Sequence, residues 1–288
     1  MINTQFTLKN SFKLFPLTLF FLACSLIYAQ SPKGKLFIIG GGKRSEKLMS
    51  QLLSISSLQK KDYIVVLPMS SEEPDSAYFY FKIQFQKLTA NPIVMLNFNK
   101  TTATNQILVD SLQKAKLIFI SGGDQSRFMG VVSNTPVFKA IHKAYQNGST
   151  ISGTSAGAAV MCEHMITGNQ KLETKYTETF DNIRYDNLET ASGLGLIKNV
   201  IIDQHFLKRS RYNRLISGLV EFPTHIGIGI DESTAIIVRN KEIEIVGESE
   251  VIVVQNPKGI TKAPKNNKVG IKSLEMGIYY EGQKLKIK

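Results

Sequence analysis

Between residues 35 and 124 a short, continuously apolar run recurs four times with helix-like stretches between. The runs are KLFIIGGG (35–42), YIVVLPMS (63–70), NPIVMLNF (91–98) and AKLIFISGGD (115–124). Consecutive rather than alternating apolar positions mark strands covered on both faces, which a parallel sheet between two helical layers provides. Helix-like stretches lie near 44–57, 75–88, 104–114 and 135–147, and STIS (149–152), NVIIDQHF (199–206) and THIGIGID (224–231) add three strands. The pattern predicts an α/β fold with a mostly parallel sheet flanked by helices. From about residue 224, GIGIDESTAIIVRNKEIEIVGESEVIVV packs short strands close together, an antiparallel β extension near the C-terminus. No repeat or low-complexity linker divides the chain. One α/β domain is expected over 30–255, with 256–288 as a C-terminal tail or edge strand.

Residues 1–29 are set apart. Lys9 and Lys13 precede the apolar run LFPLTLFFLA (14–23), and SLIYAQS follows. A basic start, a short apolar middle and a small residue at the end read as a secretory signal peptide cut after Ala29. The run is too short for a comfortable membrane span. Secretion or periplasmic release is the expected localisation. Lipid anchoring through Cys24 is the less favoured alternative, because Phe21 stands where such a signal wants a small aliphatic residue. Removing this segment leaves Cys162 alone, so no internal disulfide forms. Cys162 reads as a small core residue on a buried helix. The formal charge of +12 falls to +10 without Lys9 and Lys13. These charges are scattered and no nucleic-acid motif accompanies them, so they read as a solvated basic surface.

The stretch ISGTSAGAAVM (151–161) carries the chemistry. Gly153 to Gly157 spell G-x-S-x-G, between a strand and an alanine-rich helix pattern. That context places Ser155 on a strained strand-to-helix elbow, with the Ala156 N–H facing a developing oxyanion. A serine needs a base. His205 ends a strand, where open α/β sheets build their sites. His142 reads as a surface residue, His164 as lying on the elbow helix and pointing elsewhere, and His225 as sitting at the wrong strand end. The acid that orients the base is Asp231, Glu232 or Asp203, and the residues alone do not choose. The order Ser, His, acid differs from the Ser, acid, His order of α/β-hydrolases. SGGDQ (121–125) offers further backbone donors, and GGGK (40–43) reads as a tight turn near the site rim. Arg209, Arg211 and Arg214 crowd a helix start, where cations are unfavourable, which suits capture of carboxylates. Neither H-E-x-x-H nor C-x-x-C occurs, so no metal and no cofactor is expected.

Together GTSAGA, GGDQ, DQHFLKRSRYNRL and GIGIDESTA resemble the cyanophycinases and their relatives, serine peptidases related to aspartyl dipeptidases. The resemblance spans roughly residues 34–255. It implies a class I glutamine amidotransferase-like fold, a flavodoxin-like three-layer arrangement, and hydrolysis of the β-linked aspartyl-arginine polymer cyanophycin to β-Asp-Arg dipeptides. By motif it implies Ser155 as nucleophile, His205 as base and Glu232 as third member, thereby selecting Glu232 over Asp231. It implies Gly123 and Ala156 as oxyanion donors. Gln125, Asp203, Gln204, Arg209, Arg211 and Arg214 would line the substrate pocket, the arginines holding substrate carboxylates. The expected partner is a peptide with Asp and Arg residues, and a homodimer is compatible. The alternatives are another isoaspartyl or acidic-peptide hydrolase on the same fold, a non-catalytic binder of acidic peptides, and an amidotransferase-like enzyme, disfavoured because its elbow residue would be cysteine.

Overall fold

The computed structural model describes Met1, residues 31–173 and residues 175–287. The signal segment, its cut after Ala29 and Cys24 lie outside the described residues. In chain order the elements are β1 (Lys35–Ile39), α1 (Glu46–Ser56), β2 (Ile64–Leu67), α2 (Pro74–Phe85), β3 (Ile93–Met95) and, after a 3-10 turn, α3 (Gln106–Lys114). Then come β4 (Leu117–Ile120), α4 (Gln125–Val132), α5 (Pro136–Gln146), β5 (Thr150–Thr154) and the one-turn α6 (Ala156–Ala159). The second half holds β6 (His164–Gln170), β7 (Leu188–Ser192), β8 (Val200–Gln204), α7 (Tyr212–Glu221), β9 (Ile226–Ile230) and β10 (Thr234–Arg239). It closes with β11 (Glu242–Gly247), β12 (Val251–Lys258), β13 (Thr261–Lys262), β14 (Val269–Gly270), β15 (Ser273–Tyr279) and β16 (Lys284–Lys286).

The main sheet runs β16-β11-β10-β1-β5-β4-β2-β3. Its five strands from β1 to β3 are mutually parallel, and β10, β11 and β16 continue it antiparallel. Alternation along each strand sorts side chains between two layers. Phe37, Ile39, Val66 and Phe119 pack with α1 and α2, while Leu36, Ile38, Val65 and Ile118 pack with α3, α4 and α5. β2 and β4 are buried throughout, which is why they read as continuous apolar runs, whereas β3 at the sheet edge is only partly buried. Local signals set the helix starts. Ser45 caps α1 by accepting from the Leu48 N–H, and Asp124 caps α4 by accepting from Ser126 and Arg127.

Two expectations are corrected. First, β8 and β9 lie outside the main layer. They are parallel to each other and form a second sheet, β15-β12-β9-β8. The cause is topological: β10 pairs antiparallel with β1 on the side opposite β5, so no parallel strand can be added beside β1. Second, the elbow helix stops after one turn. Cys162 makes a β-bridge with Ile197, and His164 opens β6. Residues 256–288, expected as a tail or edge strand, supply the end of β12, then β13 and β14, then β15 at the edge of the second sheet and β16 at the edge of the main one. Cys162 is fully buried and accepts from the Ile202 N–H, and burial pushes its thiol up to about 12. It is a core residue. Among the described residues no helix is long and apolar enough to cross a membrane.

Candidate active site

The parallel strands deliver their carboxyl ends to one side of the sheet, and the second sheet leans its own strand ends over the same place. Ser155 follows β5 with φ 53° and ψ −110°, a sparsely populated conformation for a residue with a Cβ. Its N–H donates to the Ile39 carbonyl at 3.1 Å, tying the elbow to β1. A Cβ on Gly153 would lie 2.2 Å from the Gly157 carbonyl oxygen, so strand and helix approach this closely only through glycine.

His205 leaves β8 at φ 48°, and its N–H donates to the Gly40 carbonyl at 2.8 Å. The imidazole Nε2 is 2.9 Å from the Ser155 hydroxyl, and Nδ1 is 2.6 Å from Glu232 Oε1. A carboxylate only accepts, so Nδ1 carries the proton and Nε2 faces the hydroxyl as acceptor. Burial lowers the His205 pKa from its ordinary 6.5. Arg209 and Arg211 reinforce that, and the hydrogen bond and charge of Glu232 oppose it without reversing it. The ring is therefore neutral at pH 7, and a serine hydroxyl donating to it is placed for proton transfer.

The GGGK turn is closer to the chemistry than a rim. A Cβ on Gly41 would sit 2.4 Å from the His205 ring, and one on Gly42 2.7 Å from Glu232 Oε2. The turn is glycine because imidazole and carboxylate occupy the space a side chain would need. Asp231 faces away, accepting from the Lys208 N–H at 2.9 Å and the Ser249 hydroxyl at 2.8 Å. Of the three candidate acids the fold brings Glu232 alone to His205.

Ser155 opens onto a cleft of about 300 Å³ lined in part by Gly123, Gln125, Gln204, Arg209, Arg211 and Arg214. The N–H groups of Gly123 and Ala156 donate to no described residue. Gln125 donates from Nε2 to the carbonyls of Ile166 and Thr167 at 2.8 and 2.6 Å, fixing β6 as a cleft wall. Asp203 is the exception among the expected pocket residues. It is buried beneath the cleft, 1% exposed, and held by Arg214 through Nε at 2.8 Å and through Nη2. The reason is the turn at His205: its left-handed φ breaks the period-two alternation, so residues 203 and 205 do not share a face.

The arginines divide accordingly. Arg211 donates from Nε to the Glu178 carbonyl and from Nη1 to the Gln204 carbonyl and side-chain oxygens. Burial, then the charge of Arg214, pulls its pKa down to about 10 against the pull of Asp203, which leaves it charged. Burial works against the Arg214 charge, and Asp203 outweighs it, so that pKa is raised. Arg211 Nη2 and Arg214 Nη1 donate to no described residue, and the Arg209 side chain is 31% exposed, with Nε 3.9 Å from Glu178 Oε1 and hydrogen-bonded to no described residue. One basic cleft thus retains free donors from three guanidinium groups.

The other histidines stand apart. His142 is half-buried rather than a surface residue, bonded through Nε2 to the Leu194 carbonyl at 2.7 Å. His164 stacks on Phe222 at 4.2 Å, and His225 lies 5.3 Å from both rings. Sequence reading missed Tyr176, Thr167 and Asn169, which also line the cleft. Thr167 and Asn169 lie on β6 and Tyr176 follows it, and neither stretch carries a motif.

A profile of peptidase family S51 matches residues 36–246. Among curated proteins, a cyanophycinase of Nostoc sp. is 35% identical over 231 residues, covering 78% of this chain and 74% of that protein. A cyanophycinase of Geminocystis herdmanii is 35% identical over 194 residues, covering 66% and 68%. A solved peptidase from an acI-B1 Actinobacterium superposes with a TM-score of 0.64 at 22% identity, covering 88% of this chain and 97% of that one, which speaks for the fold. Profile and relatives agree with a serine set at a strand-to-helix elbow: the chain belongs to peptidase family S51 and is a serine-type peptidase.

Proposed function

We propose that the protein is a secreted peptidase of the cyanophycinase type that hydrolyses β-linked aspartyl peptides through an acyl-enzyme on Ser155. The observation that carries the reading is the unbroken hydrogen-bonded chain from Ser155 through His205 to Glu232. Nε2 takes the hydroxyl proton as Ser155 Oγ attacks the scissile carbonyl carbon. The N–H groups of Gly123 and Ala156 receive the oxyanion, which forms where donors already stand. Collapse of the tetrahedral intermediate returns the proton from Nε2 to the leaving amine. His205 then takes a proton from water, which attacks the ester and frees Ser155. Glu232 holds the tautomer and stabilises the imidazolium.

The free guanidinium donors of Arg209, Arg211 and Arg214 hold substrate carboxylates, with Gln125 and Gln204 shaping the pocket. Asp203 acts from below by keeping Arg214 charged and aimed. The leader at residues 1–29 supports release from the cell, and a homodimer fits the family resemblance. The test is hydrolysis of insoluble cyanophycin by purified protein beside Ser155→Ala. Release of β-Asp-Arg dipeptide by the wild type, with a loss of at least about 10³-fold in the variant, is the expected outcome. Equal release by both removes Ser155 as nucleophile. Release by neither removes cyanophycin as substrate.

A further inference from the structure

The cleft at Ser155 has a neighbour. The end of β6 and residues 175–177 form a wall whose side chains face two ways. Asn169 and Tyr176 line the cleft, whereas Gln170, Lys175 and Thr177 line a second cavity of about 210 Å³. The wall is anchored to the segment that carries His205. Gln170 donates to the Thr177 hydroxyl at 3.1 Å, Thr179 to the Ser210 carbonyl at 2.8 Å, and Asn213 to the Phe180 carbonyl at 2.8 Å. Tyr176 at its crest is 57% exposed and separates the two cavities' linings.

The two cavities differ in charge. The cleft offers guanidinium groups, and Asp203 beneath it is already consumed by Arg214. The second cavity is lined by two carboxylates, Glu173 and Asp181, and two cations, Lys175 and Arg184. Glu173 and Arg184 pair with each other at 2.8 Å. Asp181 and Lys175 line the same cavity and make no ion pair with a described residue. One free anion and one free cation in the same cavity match a ligand unit that carries both charges.

We propose that this cavity is a distal subsite of the peptidase, holding a zwitterionic unit of an extended substrate with its guanidinium or ammonium on Asp181 and its carboxylate on Lys175. The subsite rests on the peptidase reading of Ser155, and it predicts that affinity grows with substrate length. Both side chains are solvent-exposed, so Asp181→Asn and Lys175→Gln leave the fold intact. The experiment compares KM and kcat for one β-aspartyl-arginine unit beyond the scissile bond and for a longer oligomer.

Each variant is expected to raise KM for the oligomer roughly two- to fivefold, in keeping with exposed ion pairs. The short substrate keeps its KM, and kcat and the labelling of Ser155 by a fluorophosphonate stay unchanged. Equal KM values for the oligomer across wild type and variants overturn the subsite, as does an equal rise for both substrates. If the wild type cleaves neither substrate, the substrate reading of the cleft falls separately. The subsite is then decided by calorimetric binding of the oligomer to Ser155→Ala protein. Weaker binding on adding Asp181→Asn supports it, and equal binding overturns it.

Discussion

At the scale of single residues, His205 sits where burial and two arginines favour the neutral ring and Glu232 favours the charged one. Activity needs the neutral form, so kcat/KM rises with pH as the ring loses its proton. The midpoint of that acid limb lies below the ordinary 6.5. Arg209 is one of the groups holding it down, so Arg209→Ala moves the midpoint upward, by roughly half a pH unit or less for a partly exposed charge. The pH profile of fluorophosphonate labelling reports this without a peptide substrate, and a midpoint that stays still or falls removes Arg209 from the account. Ser155 and His205 were legible in the sequence because each ends a strand, and strand ends are where such sheets build sites. Glu232 and Asp231 were not separable by position, being adjacent at one strand end. The turn that sends one to His205 and the other to Ser249 is a three-dimensional fact. Asp203 stands two residues before His205 yet lies beneath the cleft, because the period-two rule holds inside β8 and fails across the left-handed turn at His205.

At the scale of elements, the turn that presents the Gly123 N–H is braced by the end of β2. The Ser70 hydroxyl is buried, donating to the Ser121 carbonyl at 2.7 Å and lying 2.9 Å from the Ser121 hydroxyl. Its carbonyl accepts from the Asp124 N–H at 2.8 Å and from Arg127 Nη1 at 3.0 Å. Ser70 positions the turn and touches no substrate. Ser70→Ala removes the hydroxyl bonds and keeps the carbonyl contacts, at a stability cost of about 1 kcal/mol. If the brace sets the oxyanion donor, kcat falls roughly tenfold while KM holds, because a donor displaced by a fraction of an ångström weakens transition-state binding selectively. A lower Tm with unchanged kcat would make Ser70 structural only. The strands feeding these turns were readable from their apolar runs, and the brace was not, since a serine after a proline-containing strand end carries no pattern. The elbow helix was overread for a related reason. AGAAVMCEHM has helical composition, but the bridge from Cys162 to Ile197 and the pairing of β6 with β7 outweigh local propensity.

At the scale of the whole molecule, the two sheets share one interior: Val200, Ile202, Ile228, Val251 and Val253 of the second sheet join the layer beneath β1, β4 and β5. Three histidines are caught at the seams of this arrangement. His205 bridges the two sheets, His142 lies against the chain after β7, and His225 precedes β9. Burial is the first cause in each case and lowers all three pKa values below 6.5; the neighbouring His164 adds to it at His225. A histidine whose folded pKa is depressed favours the fold while neutral, and the unfolded chain binds the proton first as pH falls. The contribution is complete above about pH 6.5 and is lost progressively below it, before most carboxylates titrate. Urea midpoints should therefore drop between pH 7.5 and 5.5, with little change in the slope of the transition. His142→Gln should flatten part of that drop, since an amide can bond the Leu194 carbonyl without titrating. A midpoint independent of pH across that window would mean that the imidazoles take up protons in the folded protein as readily as in the unfolded chain, and that water reaches these rings in the folded state.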